Sequence, residues 1–203
     1  MNNTIKPVDL MIDGDMIYCR PHHLETCSKC NLDFNSLNAL HKSLLQINGD
    51  IPPPNAINQK LANQINSLRE EGNKYYKAQN YPEAIKLYSL AIEMAFQRPV
   101  WEPCELTRRD VSTCLVNRAA AHMAINSWVN AYIDAEWGIR IKPDYVKGYF
   151  RKGKALMEMK RYDEAVQAFE IGLGFEPSDK SLKDALDEAR KLKKKSDDCD
   201  NFL

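Results

Sequence analysis

The chain has 203 residues, with 28 lysines and arginines balancing 28 aspartates and glutamates, a net charge of zero and a pI of about 6.9. That balance leaves no global electrostatic footprint for nucleic acid or an anionic membrane, and no stretch approaches the ~18 apolar residues of a membrane span. Nucleic-acid binding and direct membrane insertion are therefore not expected. The N-terminus lacks the apolar run of a secretory signal. Six cysteines, few and unevenly spread, suit a reducing compartment better than a disulfide framework.

Residues 1–50 read as an N-terminal segment. Val8–Ile12 and Asp15–Cys19 are short apolar runs around Asp13-Gly14, a strong hairpin signal. Pro21 ends the second strand. Asn35 can cap a helix whose Leu37, Leu40, Leu44 and Leu45 form a stripe, with Gly49 as its stop. So small a segment cannot fill a core alone, and its apolar face is expected to meet a partner or the rest of the chain.

Between hairpin and helix lies Cys19-x2-His22-x4-Cys27-x2-Cys30, with His23 as an alternative to His22. Three cysteines and one histidine make a legitimate tetrahedral zinc set. Three readings stay open: a structural zinc site, unligated thiols, and a redox Cys-x-x-Cys pair. The first, a possible structural zinc, is the one carried forward, and no cofactor is required.

Residues 51–64 contain Pro52-Pro53-Pro54 and read as a stiff linker. Beyond it the chain repeats. With Gly72, Ala119 and Gly153 aligned, Ala84, Ala131 and Ala165 fall into step, as do Tyr88, Ala135 and Phe169, and then Ala91, Gly138 and Gly172. Pro143 and Pro177 close the second and third units. The second and third units are 34 residues apart, the period of a helix–turn–helix solenoid repeat, the tetratricopeptide repeat (TPR). The first and second are 47 apart, so extra residues fall between them, most naturally at 99–111.

The expected architecture is thus all-α: a three-repeat TPR array at 65–98, 112–145 and 146–179, a capping helix at 180–195 and a disordered tail at 196–203. The small hairpin-plus-helix segment precedes it. Trp128 and Trp137, inside the second repeat, read as core or near-core.

In the first helix of each repeat, the residues that pack (Gly72, Ala119 and Gly153 among them) share one arc. Arg69 and Asn73 lie four apart on the opposite side, as do Lys147 and Arg151, and Asn117 holds the repeat position of Arg151. In a stacked array that face lines a concave groove. Five cationic and amide side chains there suit a carboxylate, to which each charge-assisted hydrogen bond contributes about 1.5–3 kcal/mol. No paired catalytic carboxylates, Ser/His/Asp order or phosphate-binding glycine loop stands out, so an enzyme is not expected.

Arg69-Glu-Glu-Gly-Asn73, Asn117-Arg-Ala-Ala-Ala and Lys147-Gly-Tyr-Phe-Arg151 resemble the carboxylate clamp of TPR co-chaperones. The resemblance implies that Arg69, Asn73 and Asn117 hold the main-chain carboxylate of a terminal Glu-Glu-Val-Asp. It implies that Lys147 and Arg151 hold the last side-chain carboxylate and nearby peptide oxygens. The family usually has Lys where Arg69 stands, and Arg brings a planar fork in place of a point charge.

Further segments, among them Leu37-Asn-Ala-Leu40-His-Lys-Ser-Leu44-Leu45 and Arg98-Pro99-Val-Trp101-Glu102-Pro103, are similar to the soluble TPR subunits of fungal endoplasmic-reticulum complexes for post-translational translocation. That resemblance implies a peripheral protein on the cytosolic face of the membrane. It further implies anchoring by a single-span membrane subunit and docking of the heat-shock protein 70 C-terminal tail. A soluble co-chaperone of heat-shock protein 90 is the alternative.

Overall fold

Helices stack in consecutive hairpins along most of the chain. The structure, a computed structural model, describes residues 9–14, 16–45, 53 and 56–200, with side chains as far as residue 196. It divides into two units: Met1–Ile57 with Pro99–Pro103, and Asn58–Arg98 with Cys104–Leu203.

The larger unit is the array. Helix α2 (Gln59–Lys77) pairs with α3 (Tyr81–Phe96), α4 (Cys104–Ala124) with α5 (Trp128–Ile141), and α6 (Val146–Glu158) with α7 (Tyr162–Phe175). Helix α8 (Lys180–Asp200) closes the stack. Each helix of the array packs on its neighbours in sequence, and α4 also meets both α2 and α6, so the first helices of the repeats lie side by side. The turn inside each repeat carries one left-handed residue at the same place: Gln79, Asn126 and Lys160.

The periodic small residues have a steric cause. A Cβ on Gly72 would sit 2.7 Å from the Tyr88 ring, and one on Gly153 would collide with Phe169. In the first and third repeats the aromatic of the second helix therefore sits against the backbone of the first, whereas the second repeat has Ala135 in that place. Tyr88 and Phe169 are accordingly almost wholly buried.

Several boundaries differ from those expected. The first helix starts at Gln59 rather than 65, because Asn58 Oδ1 accepts from the Leu61 amide and caps it. Of the expected 99–111 insertion only 99–103 lies outside helices, since Cys104–Val111 prolongs α4. That prolongation is tied down: Arg98 and Asp110 form a buried pair at 2.6 Å, and Val111 joins the core. Helix α8 runs to Asp200, past the expected end at 195, and residues 201–203 lie outside the described residues. Trp137 is 52% exposed and stacks under Arg140, so it is a surface residue, while Trp128 is half-buried.

A polar network joins the second repeat to the first. Arg118 forks onto Asp134 with contacts of 2.8 and 2.7 Å, and its remaining nitrogen donates to Ser89 Oγ at 2.8 Å. Beside it, burial pushes the His122 imidazole below its ordinary value of 6.5, outweighing the attraction of Asp134 at 3.8 Å. The unfolded chain thus binds a proton there more readily than the folded one. The resulting stability is full above pH ~6.5 and is lost as pH falls below it. The urea midpoint is expected to drop less between pH 7.5 and pH 5 in His122→Gln than in the unaltered chain; equal drops would show that His122 titrates normally.

The smaller unit holds the expected hairpin. Strands β1 (Leu10–Asp13) and β2 (Met16–Cys19) pair antiparallel with Asp13 opposite Met16, so the turn sits one residue later than Asp13-Gly14 suggests. Gly14 takes the positive φ of 59° that such a tight turn requires. A second two-stranded ribbon, β3 (Thr26–Cys27) with β4 (Leu32–Asp33), precedes α1 (Asn35–Leu45). Asp33, not Asn35, caps that helix: its carboxylate accepts the Asn35 amide at 2.9 Å.

The most buried residue of α1 is Asn38, which clamps β2 by exchanging hydrogen bonds with the Ile17 backbone. Leu37 and Leu45 of the expected stripe are exposed, and Gly49 lies outside the described residues.

Candidate peptide-binding groove

Helices α2, α4 and α6 bring four of the five predicted polar residues onto a run of adjoining cavities. Asn73, Asn117 and Arg151 line one of about 120 Å³ together with Tyr76, Tyr88 and Ala120. Lys147 and Arg151 border a second of about 240 Å³ with Val146, Phe150, Asp179 and Ser181. A third, of about 400 Å³, is walled by Tyr76, Ala120, Met123, Ala124, Trp128, Phe150 and Arg151. Arg151 is common to all three.

Asn73 is the hub of the first cavity. Its Oδ1 accepts from the Tyr88 hydroxyl at 2.8 Å and from Asn117 Nδ2 at 3.2 Å. Two donors converging on one oxygen fix the amide's orientation and turn its NH2 edge the other way. Burial pushes the Tyr88 phenol up to about 12, so the hydroxyl stays a donor.

Arg151 reaches inward and not into solvent as its position opposite the packing residues suggests. Its Nη1 donates to the Val116 carbonyl of α4. Burial lowers its pKa from the usual arginine range, with the phenols of Tyr145, Tyr76 and Tyr88 opposing. Among the described residues no carboxylate pairs with it, whereas Lys147 is exposed at the groove's edge.

Arg69 stands one turn before Asn73 and lines none of these three cavities. Its guanidinium contacts Glu70 Oε1 at 3.1 Å, while Glu70 Oε2 accepts from Asn73 Nδ2 at 3.4 Å. Arg69 also faces α4: burial pushes the Cys114 thiol up to about 12, and Arg69 is the leading opposing influence.

The apolar walls Tyr76, Phe150 and Trp128 escaped the sequence reading. A signal existed, since Tyr76 and Ala120 lie three residues beyond Asn73 and Asn117 and Phe150 three beyond Lys147, and residues three apart share a helix face.

The second predicted cluster also assembles, within the smaller unit. The Sγ atoms of Cys19, Cys27 and Cys30 and Nδ1 of His22 all lie within 4.8 Å of one another. His23, the alternative ligand, takes no part.

Fold and repeat pattern together define a three-repeat TPR array with a capping helix. No family model matches the chain. The ER protein translocation subcomplex subunit sec67 of Schizosaccharomyces pombe is 42% identical over 121 residues, which cover 60% of this chain and 63% of that protein. The chain thus spans under two thirds of that relative, and only 18% of the Triticum aestivum Hsp70-Hsp90 organizing protein, to which it is 35% identical over 120 residues. Among solved structures, the second TPR domain of human RPAP3, in complex with HSP70 peptide SGPTIEEVD, matches with a TM-score of 0.55 and 25% identity, covering 64% of this chain and 98% of that one. A chain of the S. cerevisiae Sec complex shares the fold over 92% of this chain and 98% of its own, with a TM-score of 0.68 and 22% identity.

Proposed function

We propose that this protein is a non-catalytic adaptor whose groove takes the acidic C-terminal tail of heat-shock protein 70, docking it for post-translational translocation into the endoplasmic reticulum. The observation that carries this reading is Arg151: a half-buried guanidinium common to three adjoining cavities, bonded to a carbonyl, with phenols near it and no carboxylate paired with it among the described residues. Burying such a cation is costly unless an anion completes it.

Asn73, Asn117 and Arg69 would receive the main-chain carboxylate, and Lys147 and Arg151 the last side-chain carboxylate and peptide oxygens. The apolar walls at Tyr76 and Phe150 suit the Val and Ile of the Ile-Glu-Glu-Val-Asp tail that ends the RPAP3-bound peptide. Translocation at the membrane is supported by the name of the sec67 relative.

Attachment at the cytosolic face is proposed to use an anchor; among the described residues no helix is long and apolar enough to cross a membrane. A single-span membrane subunit would supply it. Val129, Ile133 and Trp137 support this: they form an exposed stripe four residues apart on α5.

The test is a titration with acetylated Ile-Glu-Glu-Val-Asp beside the same peptide amidated at its C-terminus. The free acid is expected to bind, to weaken with salt, and to lose at least ~10-fold on amidation, since one charge-assisted bond carries about 1.5–3 kcal/mol. Equal binding of acid and amide, or none of either, would overturn the proposal. A marked preference for the heat-shock protein 90 tail would favour the soluble co-chaperone reading, for which the Hsp70-Hsp90 organizing relative speaks.

A further inference from the structure

The Cys/His cluster lies outside the groove, and nothing in the adaptor reading uses it. Its construction is regular. The chain makes the same ligand-presenting turn twice, eight residues apart: Cys19-Arg-Pro-His22-His23 and Cys27-Ser-Lys-Cys30-Asn31. In each, the first ligand ends a strand (β2 or β3) and the second follows three residues on. The next residue then adopts a left-handed backbone, φ 53° at both His23 and Asn31. Histidine and asparagine are among the non-glycine residues that adopt this region most readily. In the first turn the His23 amide donates to the Cys19 carbonyl at 2.8 Å, folding the loop back over the sulfur.

The side chains converge accordingly. His22 Nδ1 lies 3.4 Å from Cys19 Sγ, 3.5 Å from Cys27 Sγ and 3.3 Å from Cys30 Sγ, and Cys19 Sγ lies 3.3 Å from Cys30 Sγ. Zinc bonds of ~2.3 Å to sulfur and ~2.0–2.1 Å to nitrogen place the corners of a regular tetrahedron ~3.5–3.8 Å apart. The three His22 contacts lie within ~0.3 Å of the nitrogen–sulfur edge, and the Cys19–Cys30 contact is about half an ångström shorter than the sulfur–sulfur edge.

Among its described residues the unit has little apolar support. Its buried apolar core is Ile17, Phe34 and the two cysteines Cys19 and Cys27 themselves, with Leu10, Cys30 and Leu32 packed against it. Domains with so little to bury usually depend on a metal or on disulfides.

We propose that Cys19, Cys27 and Cys30, through Sγ, and His22, through Nδ1, bind one structural zinc ion. Four protein ligands close the tetrahedron, so the site holds the two ribbons together and has no open position for chemistry. Thiolate donors select zinc against magnesium and calcium. Binding displaces the thiol protons, so the metal-bound unit is favoured by neutral and higher pH.

The test uses the full chain, purified under reducing conditions with no metal added. About one zinc per chain is expected by elemental analysis, with release on mercurial titration of the thiols. Replacement by cobalt should give the intense visible spectrum of a tetrahedral thiolate site, and Cys104→Ser, outside the cluster, should leave both readings unchanged. Cys27→Ser should abolish stoichiometric metal. Because that variant can fail by unfolding, the unaltered chain is also stripped with a chelator, whereupon the amide signals of residues 10–45 should lose dispersion and regain it with zinc. Substoichiometric metal with full dispersion of those signals would overturn the site, as would a Cys19–Cys30 or Cys27–Cys30 disulfide in the native chain.

Discussion

Replacing Arg118 by leucine is expected to lower the unfolding free energy of the array by about 3–5 kcal/mol, the usual cost of stripping one partner from a buried ion pair. Asp134 is 7% exposed at its side chain and receives two bonds from Arg118. His122, whose imidazole is held neutral by burial, is a poor replacement. The same substitution frees Ser89 Oγ on α3, so one change loosens three helices. Urea unfolding followed by circular dichroism measures the loss. The double variant Arg118→Leu/Asp134→Leu should recover much of it, since no uncompensated charge is left inside. A loss below about 1 kcal/mol in the single variant would show that water or His122 satisfies Asp134.

The largest effect on binding is expected from Lys147→Ala combined with Arg151→Ala: about 3–6 kcal/mol if the two add, or roughly 10²- to 10⁴-fold in Kd. The two contributions differ in kind. Lys147 is exposed at the groove's edge, so its removal should leave stability untouched. Arg151 is tied to the Val116 carbonyl, so Arg151→Ala should also cost some stability, visible in the same urea experiment. Lys86, 65% exposed at its side chain on α3, is the control. An equal loss of binding in Lys86→Ala would show that the peptide reads overall charge and not the groove.

The array was legible because its repeat is enforced sterically. Tyr88 and Phe169 leave no room for a side chain at 72 and 153, so small residues recur at a spacing that no other demand would produce. The polar site residues were legible for the related reason that equivalent positions on α2, α4 and α6 face one way. What stayed hidden was structure without a one-sided pattern. The first residues of α4, 104–109, are exposed or half-buried, and its middle is packed around much of its circumference, burying Asp110 and Ser112 along with Val111 and Cys114, so its apolar residues trace no stripe. Trp137 reads as core by its bulk, but it lies along an arginine on the outer side. In α1 the leucines drew the eye, although an asparagine does the packing. Arg151 was assigned to the right face, yet its inward reach depends on rotamers that spacing does not encode.

Glu70 gives the groove a resting occupant of its own. Its carboxylate lies against Arg69 on one oxygen and against Asn73 on the other, the pair proposed to receive a chain-terminal carboxylate. Any such ligand arrives as a competitor and not as a first anion. Under the proposed docking, recognition at that end would be an exchange reaction, in which Arg69 would contribute only the difference between two carboxylates. The incumbent is a side chain 59% exposed to water and easily displaced. In the proposed docking, a terminal carboxylate would displace this side chain from Arg69 and Asn73 and would also meet Asn117, so the free acid would keep its advantage over the amide at that end.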